Sequence, residues 1–389
     1  AILEKYAKTY PMPQMGLEAI RLRNRMTAET LIHQSTSRGR QYRPLNVLIR
    51  ETEEEFVART LYYAIAFYSQ MHLHENGIDH PPLQLWELVL TQLQSGAWKS
   101  SPLIQLYYHM FLLVRLPSDS ERYQHAKALL TKHGPVFPKS ERMELYTIVL
   151  NRCIGERNRG NPEADAEIFH LYMEMLDRDL LIGESGMDGW HFKTIVACAL
   201  RLGKLEEARA FVEMYAAVLR GDLRENILDY CRGMIAFQES DFREAERHMN
   251  SVLVHFKDPF FGLDVRAWLL RIYYETGNES GMDALTESFR MFLVRHHHLS
   301  PKRLENYHVF VRFFRRLRTL PLGRSTRAAK LQKDIRDSPW QAARSMSRKD
   351  TFHNTKQRSQ KSARLMCHLR ISSSPWSRCA TGTKSPSSM

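Results

Sequence analysis

Residues 202–219, "LGKLEEARAFVEMYAAVL", and residues 239–256, "ESDFREAERHMNSVLVHF", share one grammar. Each opens on a turn-like pair, passes through acidic and basic residues to an alanine, and then becomes mostly apolar. Aligning the turns at Gly203-Lys204, Ser240-Asp241 and Gly277-Asn278 puts Ala208, Ala245 and Met282 at one position, with an interval of 37 residues both times. An apolar stripe at helical spacing precedes each turn ("WHFKTIVACALRL", "ILDYCRGMIAFQ", "VRAWLLRIYYET") and another follows it. The unit is helix, tight turn, helix. A small residue early in the second helix lets two backbones approach, and the bulky residues around it fill grooves within the pair and toward the next pair. One such hairpin cannot bury its apolar face alone, so the pattern recurs.

Outward from these units, helical periodicity runs from about Glu51 to Leu320, with Gly and Pro falling between the apolar runs. Alternating β-branched runs bounded by hairpin turns are nearly absent. The chain is expected to be all-α. Helix starts are expected at Ser140, at Ser120 or Asp119, and at Asn161 with Pro162 as the first helical residue and acids in the first turn. Upstream, "PLIQLYYHMFLLV" pairs with "ERYQHAKALLTKHG", which carries Ala126. "MELYTIVLNRCI" pairs with "ADAEIFHLYMEML", and "EEEFVARTLYYAIAFYSQM" with "PPLQLWELVLTQLQ". Spacings there drift to about 40 residues, so loop lengths vary.

The recurring unit resembles the tetratricopeptide repeat (TPR), whose period is about 34 residues. The middle copy fits best: Gly233 stands twelve residues before Ala245, as the family's first-helix glycine stands before its second-helix alanine, and Pro259 closes the unit. The departures are the longer period, the absence of the family's early Trp from that copy, Val196 and Leu270 at the glycine position of the neighbours, and Met282 in place of the alanine. The resemblance implies a right-handed α-solenoid of antiparallel helix hairpins with a concave surface lined by the first helices. Carried over through Ala208, Ala245 and Met282, the groove positions are Lys193, Ala197 and Arg201, then Tyr230, Met234 and Gln238, then Ala267, Arg271 and Glu275. A groove of that character suits an extended peptide or helix of another protein. The family's clamp for a C-terminal carboxylate uses Asn where this chain has Ala197, Met234 and Arg271, so that mode is not implied.

The organisation expected is an N-terminal extension or partial repeat over 1–50, a repeat array over 51–296, capping helices over 297–337, and a basic, disordered tail over 338–389. In the cap, Leu304, Tyr307, Phe310, Val311 and Phe314 share one helix face. The tail is rich in Ser, Lys, Arg and Thr, and it cannot bury enough apolar surface to offset the entropy of ordering it. An out-of-frame extension is a second account of the same break in character.

The net charge of +13 has a location. From Ser300 onward there are 21 Lys+Arg against 4 Asp+Glu, whereas the preceding chain holds 35 against 39. The pI near 9.5 therefore describes the C-terminal segment and not the body. Arg312, Arg315, Arg316 and Arg318 interleave with aromatics there, a pattern that binds RNA phosphates and stacks on bases, against the plainer account of a basic cap. Five cysteines without a CxxC pair fit reduced thiols in the cytoplasm. No run reaches the length of a membrane span, so no insertion is expected.

Catalytic and cofactor motifs are missing from the sequence: neither GxxxxGK[ST] nor GxGxxG, GxSxG or HExxH occurs. His296, His297 and His298 are sequential on a helix end and point in different directions, so favourable charge placement at the helix C-terminus explains them better than a metal does. His72, His74 and His80 read as solvated loop residues. Tyr62, Tyr63, Phe67, Tyr68, Tyr107, Tyr108, Tyr273 and Tyr274 are read mostly as core. The sequence therefore points to a cytoplasmic binding protein that is not an enzyme and needs no cofactor.

Overall fold

A computed structural model describes residues 15–35, 43–71, 84–117, 119–161, 163–221, 224–255, 258–297, 299, 301–318, 330–331 and 333–334. The tail expected over 338–389 lies outside the described residues, as do His72, His74, His80 and His298. Fourteen α-helices occur among the described residues: α1 Leu17–Ser35, α2 Arg43–Met71, α3 Gln84–Gln94, α4 Pro102–Arg115, α5 Ser120–His133, α6 Lys139–Asn158, α7 Ala164–Asp177, α8 Gly189–Arg201, α9 Leu205–Tyr215, α10 Arg224–Gln238, α11 Phe242–His255, α12 Pro259–Thr276, α13 Glu279–Arg295 and α14 Pro301–Arg318. The fold is all-α. The exception is a two-residue ladder, Ile182–Gly183 against Gly186–Met187, which closes a tight turn before α8. No helix among the described residues is long and apolar enough to cross a membrane.

The described residues divide between Gly155 and Glu156, inside α6, into two compact units. In the first, α1 packs on α2, α2 on α4, and α4 on α5. The segment read as an extension thus carries α1 and the start of α2. Glu141 reaches from α6 to accept the Leu17 amide at 3.0 Å, supplying a cap that α1 lacks in its own sequence. Tyr107 donates to the same carboxylate, whose protonation burial favours. Ala126 is fully buried where α4 and α5 meet, and Phe67 of α2 meets Trp86 of α3 edge to face at 5.7 Å.

In the second unit the helices pack in chain order. Within hairpins, α8 meets α9, α10 meets α11, and α12 meets α13; between hairpins, α9 meets α10, α11 meets α12, and α13 meets α14. The three inter-helix turns are alike in detail. Gly203, Ser240 and Gly277 have φ of 75°, 65° and 70°, the left-handed conformation that ends a helix. The next residue's N–H then bonds five residues back, at 2.9 Å in each case: Lys204 to Ala199, Asp241 to Ala236 and Asn278 to Tyr273. Ala208 and Ala245 are fully buried and Met282 nearly so. At Gly233, a Cβ would stand 2.9 Å from the Met249 methyl and 3.3 Å from His248 Cβ, so α10 and α11 touch there because the residue is glycine.

No heavy atom lies within 4 Å of a Cβ built on Gly203 or Gly277, so those glycines serve the backbone angle and not a close approach. Ser240 meets the same angle with a side chain, at a conformational cost of roughly 1 kcal/mol. Ser240→Gly is therefore expected to stabilise the protein by about 0.5–1 kcal/mol, part of the relief being offset by a freer unfolded chain. Thermal unfolding checks it: a Tm that falls would show that Ser240 contributes more than its backbone costs.

Some helix starts differ from expectation. Of the two caps expected for α5, Asp119 serves, accepting the Arg122 amide at 3.0 Å. Ser140 lies within α6 and is not its cap. Asn161 accepts the Glu163 amide at 3.0 Å, which closes a turn ahead of α7. Helix α14 buries Tyr307, Phe310, Val311 and Phe314 as expected, with Leu304 partly buried. It also buries Val309, Phe313 and Leu317, a wider apolar face than the outer cap of an array requires.

Candidate functional site

Helices α8, α10 and α12 carry the residues expected to line a groove. Lys193 sits mid-α8 and Asp264 in the second turn of α12. Lys193 Nζ donates to Asp264 Oδ2 at 2.7 Å, and the two side chains are only 2% and 6% exposed. Three rings surround the ammonium, with centroids at 4.0 Å (Trp190), 4.5 Å (Phe261) and 5.2 Å (Tyr230). Tyr307 of α14 donates to the other Asp264 oxygen. Trp268 Nε1 donates to the Tyr230 hydroxyl at 3.1 Å, and the Arg271 guanidinium lies 4.2 Å from the Trp268 ring. Burial, followed by the nearby Asp264 charge, holds the Tyr230 phenol well above its ordinary range.

The fold therefore brings Lys193, Tyr230 and Arg271 together, but as a buried network. This corrects the groove expectation at these three positions. Met234 and Ala267 are buried as well. Asp264 satisfies the ammonium internally, and aromatic residues of three helices cover it. Of the other expected positions, Gln238 is exposed, whereas Ala197, Arg201 and Glu275 are half-buried.

Arg201 belongs to a second buried cluster. Its Nε donates to Asp165 Oδ1 at 2.8 Å and its Nη2 lies 2.9 Å from Cys198 Sγ. Asp165 is one of the acids expected in the first turn of α7, and it is also buried against this guanidinium. Arg157 completes the cluster, and burial pulls its guanidinium down to about 10. A reactive cysteine needs its thiolate. Burial pushes the Cys198 thiol up despite the two neighbouring arginines, so this thiol is a packing group.

The third constellation invites a hydrolase reading and does not support one. Ser251 Oγ donates to Asp229 Oδ2 at 2.7 Å, and His248 Nδ1 meets Asp229 Oδ1 at 2.9 Å. A nucleophilic serine needs the imidazole as its base, with the carboxylate behind it. Here the carboxylate stands between the two. The His248 Nε2 side faces Arg247 Nη2 at 3.0 Å, leaving no position for an activated hydroxyl.

Comparison of the chain with protein-family models, with curated proteins and with solved structures finds no match.

On α14, Arg312, Arg315 and Arg316 lie on the exposed side. Arg316 pairs with Asp334 at 2.6 Å, and Arg315 stands 3.9 Å from Glu287. The Arg318 side chain lies outside the described residues. Among the described residues no three His, Cys, Asp or Glu side chains gather in a metal-binding set. His296 stacks on Phe292, with centroids 3.9 Å apart, and its Nδ1 meets the Phe292 carbonyl at 2.9 Å. Among the aromatics, Tyr107 is buried core and Tyr63 is more than half exposed.

Asp264 and Tyr307 organise the buried network and were not singled out for that role. Asp264 has a sequence signal: it is the lone acid inside "FFGLDVRAWLL" at 260–270, where an acid needs a buried partner. Nothing local identifies Lys193, 71 residues earlier, as that partner.

Proposed function

We propose that this chain is a non-catalytic cytoplasmic scaffold, a divergent TPR-like stack of helix hairpins that binds another protein. The observation that carries the reading is the threefold recurrence, at 37-residue intervals, of a left-handed turn followed by a buried small or flexible residue. Stacks built this way present long surfaces on which a peptide or helix can lie. With Lys193, Arg201, Tyr230 and Arg271 committed to buried clusters, the partner meets the stack at its accessible first-helix positions, of which Gln238 is the most open. RNA binding through α14 ranks second, because Arg315 and Arg316 each face a carboxylate.

The test is site-specific photo-cross-linking of the full chain in nuclease-treated lysate. A cross-linker at position 238 is expected to capture one defined protein that a cross-linker at the exposed second-helix residue Glu213 does not capture. The same adducts from both positions, or adducts that nuclease abolishes, would overturn the reading.

A further inference from the structure

Arg266 lies two residues beyond Asp264 on α12, about 200° around the helix axis. It therefore leaves α12 on the side away from the buried ion pair. Its guanidinium lies 3.9 Å from the centre of the Phe292 ring on α13, and Nη1 donates to the Gly262 carbonyl at 2.9 Å. Position 262 makes room for this stack: a Cβ there would stand 3.0 Å from Phe292 Cζ and 3.1 Å from Arg266 Nη1. Among the described residues no carboxylate pairs with Arg266, and its Nε is buried without an acceptor. Burial lowers the guanidinium to about 10 with no opposite charge to counter it. A desolvated guanidinium ordinarily has an anionic partner.

Beside Arg266 is a cavity of about 450 Å³ between α12 and α13, lined by Arg266, Glu287, Ser288, Met291, Phe292 and Arg295. Arg295, in the last turn of α13, is exposed and also pairs with no carboxylate among the described residues. Glu287 is engaged by Arg290 at 2.6 Å and faces Arg315 at 3.9 Å. Two guanidiniums and a hydroxyl thus face the same space, above an aromatic ring and a thioether.

We propose that this cavity is a binding site for a single carboxylate carried on an apolar stem. Arg266, Arg295 and Ser288 take the carboxylate, and Met291 with the edge of the Phe292 ring takes the stem, the two faces of that ring being held by Arg266 and His296. The lining carries two positive charges and one negative, which matches a monoanion better than a dianionic phosphate. The carboxylate comes from a free small acid or from an acidic side chain of a bound peptide, and the proposal does not rest on the scaffold reading.

The test uses the full chain and calorimetric titration with phenylacetate, phenylacetamide and inorganic phosphate. Further arms use the capped tripeptide Leu-Glu-Phe and its Leu-Gln-Phe counterpart. Phenylacetate is expected to bind roughly tenfold tighter than its amide and tighter than phosphate. Arg266→Met is expected to weaken phenylacetate roughly tenfold while leaving Tm unchanged or raised, because methionine keeps an apolar contact with Phe292 and removes an unpaired cation. Arg295→Gln, at an exposed position, is expected to weaken it roughly threefold. Leu-Glu-Phe binding tighter than phenylacetate assigns the site to a peptide, and the reverse order assigns it to a free acid. Equal binding of phenylacetate and its amide, or tighter phosphate, overturns the proposal. So does an Arg266→Met variant with lower Tm and unchanged binding, which would make Arg266 only a stacking partner of Phe292.

Discussion

Asp264→Asn is expected to destabilise the protein by about 3–5 kcal/mol, because it leaves the Lys193 ammonium buried without a counter-charge. The surrounding rings do not replace the carboxylate: a cation over an aromatic face gains about 2 kcal/mol or somewhat more when desolvated, and those contacts are already present in the parent protein. Lys193→Met is expected to cost a similar amount by orphaning Asp264, which then keeps only the Tyr307 hydroxyl. The double variant Lys193→Met with Asp264→Leu should recover most of the loss, since replacing both partners with apolar groups removes the desolvation cost on each side. Urea unfolding of the parent, Lys193→Met, Asp264→Leu and the double variant closes the cycle and gives the coupling directly, with Asp264→Asn as the isosteric control. Single variants within about 1 kcal/mol of the parent would show that the pair is solvated and that its burial has been misread.

Gly233→Val is expected to cost about 2–3 kcal/mol, by overpacking the contact between α10 and α11. The Met249 methyl can swing away from a new Cβ, but His248 Cβ at 3.3 Å is fixed to the backbone of α11. Gly233→Ala separates the two contributions. It gains about 1 kcal/mol of helix propensity and meets the same Met249 and His248 contacts with its Cβ alone, without the two further methyl groups of valine, so it should cost clearly less than valine. Thermal and urea unfolding of both variants decides the matter. A valine variant as stable as the parent would mean that the two helices are not held together at this glycine.

How much of this was legible depended on distance along the chain. The turns at Gly203, Ser240 and Gly277, and the buried residues that follow them, are local features that repetition makes conspicuous. They identified the hairpins and their boundaries closely. The helices α1 and the first turns of α2, within the segment read as an extension or partial repeat, carry little apolar periodicity and were not delineated in the sequence. Part of their order comes from Glu141, more than a hundred residues away. The site was less legible for the same reason. Resemblance assigned Lys193, Tyr230 and Arg271 to an open surface, because first helices line the groove of the repeats they resemble. Whether such a side chain meets solvent or a carboxylate depends on a residue in another hairpin. Arg266 stayed unnoticed because an arginine within a helix is ordinary, and only the absence of a partner beside it makes it informative.

The contact between Lys193, Asp264 and Tyr307 also bears on how the second unit comes apart. In a stack where each hairpin touches only its neighbours, stability is a sum of nearest-neighbour contributions and the ends fray independently. Here a residue of the hairpin α8–α9 is tied to α12, passing over the hairpin between them, and the same carboxylate is held from α14. Opening α14 loosens Asp264, and loosening Asp264 exposes a charge that α8 has buried. The second unit therefore resembles a keystone arch more than a row of bricks: it is expected to give way as one cooperative block, not from its ends inward.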